Sequence, residues 1–122
     1  MGRVGVFSSA SGYLIREILP PTGVNYRLGN SWGGRMIPLP DSDGDGFNEV
    51  LIPARECNSV GLLVSAVFVC SPATGQTLDS LSSPTNEVSG FGESMQLLTS
   101  SSTNHTRVII GGTGPYATEG AG

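Results

Sequence analysis

The chain has 122 residues, enough for one domain or for part of a larger one. Eighteen glycines and eight prolines make up a fifth of it, only 13% is charged, and the formal net charge is −4. The six Lys and Arg are too few and too scattered for the basic stripe of a nucleic-acid binder. No apolar run reaches the ~18 residues of a membrane span, and no stretch of about 10–12 residues carries a helical apolar period. What remains is an all-β chain of short strands and many turns.

The first element is an alternating strand, Val4-Gly5-Val6-Phe7, followed by a small-residue turn that ends at Gly12 and by a second short strand from Tyr13 to Leu19. Trp32-Gly33 opens the next stretch. Residues 35–40, Arg-Met-Ile-Pro-Leu-Pro, are too proline-rich for a helix. Then comes the loudest signal in the chain, Asp41-Ser42-Asp43-Gly44-Asp45-Gly46-Phe47-Asn48-Glu49. Asp41, Asp43 and Asp45 occupy loop positions one, three and five, with Gly46 at the sharp turn of position six. Phe47 offers its carbonyl at position seven, and Glu49 ligates at position nine, directly or through water. An oxygen-rich loop of this spacing can wrap one hard cation. Calcium, with 6–8 oxygen ligands, suits it better than magnesium, which prefers fewer protein ligands and keeps its waters. Position twelve is Ile52, so the bidentate glutamate of an EF-hand is missing. The exit, Val50-Leu51-Ile52-Pro53, reads as a buried strand, which places the ion between two strands rather than two helices.

Cys57 and Cys70 end two successive strand-like segments. They are read either as one disulfide in an oxidising compartment or as two buried thiols. Val67-Phe68-Val69-Cys70 with its turn to Gly75 repeats residues 4–12 at a shift of 63, and the strand from Gln76 to Leu81 repeats the one after Gly12. Phe91-Gly92-Glu93-Ser94-Met95-Gln96-Leu97-Leu98 repeats residues 32–39 at a shift of 59. Its following loop, residues 99–107, has no carboxylate, so one ion site is expected rather than two. Val108-Ile109-Ile110 then matches Val50-Leu51-Ile52. Asn104 opens a glycosylation sequon. His105, the only histidine, sits in the same loop with no nucleophile or metal spacing around it.

These residues together resemble the FG-GAP repeat: an aromatic-Gly start, a short strand, an Asp-x-Asp-x-Asp-Gly loop, an apolar strand, and a further strand closing on a Thr-Gly turn. Phe91-Gly92 matches the naming dipeptide, Trp32-Gly33 is a variant, and Glu49 stands where the family usually has Asp. The family builds the calcium-binding β-propellers of integrin α chains and of many bacterial surface proteins. The resemblance implies blades of four antiparallel strands. Residues 32–82 are then a complete blade, with strands at about 34–39, 49–54, 63–70 and 76–81. Residues 1–24 supply two outer strands of one blade, and residues 90–122 two inner strands of another. The chain reads as a circularly permuted pair of blades. Its half-blades are expected to be completed by neighbouring copies, in a ring or a filament, or by a longer parent protein.

No nucleophile elbow, paired histidine or zinc spacing is present, so the chain is not read as an enzyme. The expected function is that of a calcium-stabilised extracellular structural or adhesion module. Extracellular modules are tuned to millimolar calcium. The start lacks the apolar core of a secretory signal, so a secreted form would be a mature chain or a piece. The alternatives are a carbohydrate-binding propeller with Trp32, Tyr26 or Tyr116 as stacking platforms, and a fragment of a larger surface protein or enzyme. Trp32, before a glycine at the start of a blade, is expected to pack between blades instead.

Overall fold

The computed structural model describes residues 3–20, 32, 34–57, 63–82, 91–98 and 106–112, with the backbone alone for 55–57 and 63–64. Among the described residues stand eight strands and no helix, and every pairing is antiparallel. Strands β3 (Ile37–Pro38), β4 (Val50–Cys57), β5 (Leu63–Cys70) and β6 (Thr77–Ser82) form one sheet in chain order. Strands β1 (Val4–Phe7) and β2 (Leu14–Ile18) form a separate pair, as do β7 (Ser94–Leu98) and β8 (Arg107–Gly111).

Three strands differ in length from the sequence reading. β2 covers Leu14–Ile18 rather than Tyr13 to Leu19. β3 covers two residues rather than six, because Pro38 and Pro40 have no amide to give to a ladder. β4 continues past Ala54 to Cys57, since its pairing with β5 runs from Val50↔Cys70 to Cys57↔Leu63. That register corrects the expected disulfide. Cys57 and Cys70 lie at opposite ends of the hairpin, about 23 Å apart at ~3.3 Å per residue. A bridge needs Cα atoms within about 7 Å. Cys70 is a free, buried thiol beside the Thr77 hydroxyl (3.8 Å), and burial pushes its pKa up, which keeps it unreactive.

The sheets stack in three layers. Alternation along β4 and β5 sends Ile52, Ala54, Ala66, Phe68 and Cys70 to one face, where they meet Val4 and Ile18 of the β1–β2 pair. Trp32 is wedged into this contact. It is 2% exposed, its ring stands 5.8 Å from that of Phe68, and its indole N–H donates to the Ile18 carbonyl at 3.1 Å. Leu51, Pro53 and Val67 face the other way, toward the β7–β8 pair. There Gly92 presses so close that a Cβ would stand 2.9 Å from Val67 and 3.1 Å from Pro53. Only glycine allows that approach, and its φ of +96° also suits glycine alone. β4 and β5 are thus covered on both faces, which explains the apolar runs of residues 50–54 and 66–70. Burying each large side chain there contributes about 1.5–3 kcal/mol.

The outer pairs are copies of the two halves of the central sheet. β1–β2 pairs Val6↔Arg16 and then skips to Phe7↔Leu14, while β5–β6 pairs Val69↔Asp79 and then skips to Cys70↔Thr77. The same bulge therefore recurs 63 residues on. The turns match bond for bond. Ser8 donates to the Tyr13 carbonyl (2.9 Å) and Gly12 to the Ser8 carbonyl (2.8 Å). Ser71 donates to the Gln76 carbonyl (2.9 Å) and Gly75 to the Ser71 carbonyl (2.7 Å). Gly12 and Gly75 share a positive φ of +76° and +79°. At the other end, β3–β4 pairs Ile37↔Leu51 and Pro38↔Val50, and β7–β8 pairs Gln96↔Ile109 and Leu97↔Val108. The shift is 59 on the first strand and 58 on the second, because the second loop is one residue shorter. β3 and β7 lie against each other across the layers.

Candidate metal centre

The acidic loop joins β3 to β4, and the Leu39 amide closes its neck by donating to the Glu49 carbonyl at 2.8 Å. Between those residues the chain reverses through Gly44 (φ +77°) and Gly46 (φ +88°). Both angles lie in the left-handed region that costs an ordinary residue a steric clash. The loop is organised by its own carboxylates. Asp41 accepts the Gly44 amide on Oδ1 and the Gly46 amide on Oδ2, each at 2.8 Å. Asp43 accepts the Asp45 amide (3.1 Å), and Asp45 accepts the Phe47 amide (2.8 Å). These local bonds are what short acidic side chains make in turns. They gather the side chains inward, so that one oxygen from each of Asp41, Asp43, Asp45 and Glu49 lies within 4.8 Å of all the others.

Glu49 differs from the aspartates. They are at the surface, whereas Glu49, where the loop enters β4, is 1% exposed. Its Oε2 accepts both the amide and the hydroxyl of Ser42, the latter at 2.7 Å. Its Oε1 is buried with no hydrogen-bond partner among the described residues. A buried carboxylate oxygen left without a donor is costly unless something positive meets it. Burial and the Asp41 charge push the Glu49 pKa up, but the two Ser42 bonds and the Asp43 side chain together outweigh them and hold the group below the usual range. The Gly46 amide likewise leads in holding Asp41 low. Asp43 moves the other way. The Asp45 amide pulls it down, yet loss of solvent and repulsion from Asp45 and Glu49 outweigh that pull, and its pKa is raised. The cluster therefore carries anionic charge that its own hydrogen bonds do not neutralise. An oxygen-only donor set with one orphaned buried oxygen fits a hard divalent cation.

The ligand spacing in the sequence identified the four carboxylates but not Ser42, which fixes the orientation of Glu49. A serine inside such a loop carries no signal of its own; only the burial of its neighbour gives it a task. Phe47 lies in the loop with its ring exposed. It lines a groove of about 250 Å³ with Val6, Ile15, Arg16, Pro72 and Ala73, so the loop sits beside the β1–β2 pair. Trp32 is enclosed and cannot serve as a stacking platform for a sugar. Tyr26, Tyr116, Asn104 and His105 lie outside the described residues, as does most of the loop after β7. Searches against family models, curated proteins and solved structures find no match to this chain.

Proposed function

We propose that the chain is a calcium-stabilised structural or adhesion module of the propeller type, working outside the cell and joining further copies of itself head to tail. The observation that carries the ion is the buried, unpartnered Glu49 Oε1 within the carboxylate cluster. Oxygen number favours calcium, which takes about 6–8 oxygen ligands, over magnesium, which takes fewer protein ligands and keeps its waters. A mostly exposed loop with one buried carboxylate suits the modest affinity of extracellular sites. The role is structural: neutralising four crowded carboxylates holds the β3–β4 connection shut, and with it the edge of the central sheet. The blade reading is supported by one complete four-stranded sheet flanked by two pairs that repeat its halves in register. Wild-type chain in calcium-free buffer should melt several degrees lower than in millimolar calcium, with magnesium restoring less. Asp43→Ala should abolish the calcium-dependent difference. A wild-type melting temperature unmoved by calcium would overturn the ion assignment.

A further inference from the structure

The edge of β8 that no described strand covers has an internal precedent. β7–β8 copies β3–β4, and in the central sheet the edge of β4 is covered by β5. The described residues contain a second copy of β5, namely β1, with the same bulge and the same turn. Within one chain the two cannot meet, because β1–β2 and β7–β8 lie on opposite faces of the central sheet. We propose that β1 of a second copy of this chain pairs antiparallel with β8, in the register that the β4–β5 pairing dictates. Transferring Val50↔Cys70, Leu51↔Val69, Ile52↔Phe68 and Pro53↔Val67 by the observed shifts sets Val108 against Phe7, Ile109 against Val6, Ile110 against Gly5, and Gly111 against Val4. The inference rests on the head-to-tail reading above and names its seam.

A second observation selects this register. Val108 and Ile110 are half-buried, which marks their face as the one turned to their own central sheet, and Ile109 on the opposite face is 53% exposed. Val4 and Val6 face their own central sheet, whereas Phe7 points outward, 63% exposed, with Leu14 exposed across from it. In the proposed pairing Phe7 falls on the same face as Val108. It is carried onto the central sheet of the chain that supplies β8. Ile109 falls on the same face as Val6 and is carried onto the central sheet of the chain that supplies β1. Each exposed apolar side chain is thereby covered by the other copy. A slip of one residue would exchange the faces and leave both in water. Unpaired strand edges recruit strands generally; here the recruited strand and its register are both set by the repeat.

The test uses paired cysteines in the full chain, oxidised with diamide and mapped by mass spectrometry to separate any link through Cys57 or Cys70. Val6→Cys mixed with Ile109→Cys should give a covalent dimer joined at those two positions. The two substitutions in one chain should give a ladder or a closed set of multimers. Val6→Cys with Ile110→Cys, one residue out of register and on opposite faces, should not link. Absence of the Val6–Ile109 link, or equal linking of the slipped pair, overturns the register. Ile109→Lys, at a site exposed in the single chain, should run as a 12.6 kDa particle in light scattering, against a multiple of that mass for wild type. Its calcium-dependent rise in melting temperature should persist, so failure of the seam and failure of the ion site read out separately. A wild-type chain that stays at 12.6 kDa at tens of micromolar overturns the proposal.

Discussion

Glu49 is an ionised carboxylate removed from water, held by Ser42 on one oxygen and without a hydrogen-bond donor among the described residues on the other. Ser42→Ala should therefore remove two roles at once, a side-chain hydrogen bond and the anchor of a ligand. We expect a loss of about 1–2 kcal/mol in urea unfolding without calcium, and a weaker calcium response. The pH dependence follows from Asp43. Its raised pKa means that, without the ion, its charged form opposes folding at neutral pH, and the opposition is relieved as pH falls into the range where it protonates. A bound cation would compete with that proton. The gap in melting temperature between calcium and calcium-free buffer should thus be widest near neutral pH and narrow in the acid range where Asp43 protonates; a gap that widens there would argue against Asp43 at the ion. The glycines separate backbone strain from crowding. Gly46→Ala meets nothing within 4 Å and should cost about 1–2 kcal/mol from its positive φ alone. Gly92→Ala adds a clash with Val67 and Pro53 and should cost about 2–4 kcal/mol, read from the same denaturation curves.

The strands themselves were legible because each is an apolar or alternating run bounded by Gly, Pro or Ser, and because the two offsets in the sequence reappear as two offsets in the hydrogen-bond registers. The Asp-x-Asp-x-Asp-Gly spacing likewise marked the carboxylates before any coordinates. What escaped was long-range. The disulfide reading of Cys57 and Cys70 fell because β4 runs on past Ala54 to Cys57, and in an antiparallel pair the ends of successive strands lie far apart. The burial of Glu49 and the service of Ser42 depend on how β4 enters a sheet covered on both faces, which no window of nine residues contains. The two-residue β3 shows the opposite failing: the prolines that spoil its ladder were visible, and their effect on length was underestimated.

At the scale of the molecule, three layers expose on their outer sides the residue types they bury within. Phe7 and Ile109 lie in water, whereas the corresponding positions of the central sheet, Cys70 and Leu51, are enclosed. A single copy should accordingly be less stable than an assembled one. Its melting temperature should rise with protein concentration between about 1 and 100 µM, as mass action requires when association favours the native state. Ile109→Lys should flatten that dependence. Differential scanning calorimetry across the series would check it, and a wild-type midpoint independent of concentration would argue for a self-sufficient monomer.

The bulge shared by Val6/Phe7 and Val69/Cys70 has a consequence for how such a sequence can grow. The outer pairs repeat the two halves of the central sheet, so two copies fused in tandem by a suitable linker would bring one chain's β8 beside the next chain's β1. The covalent seam would have the same partners as the proposed non-covalent one. Lengthening by duplication is then nearly free of steric penalty, while a deletion that is not a whole repeat would strand one half-sheet without its complement.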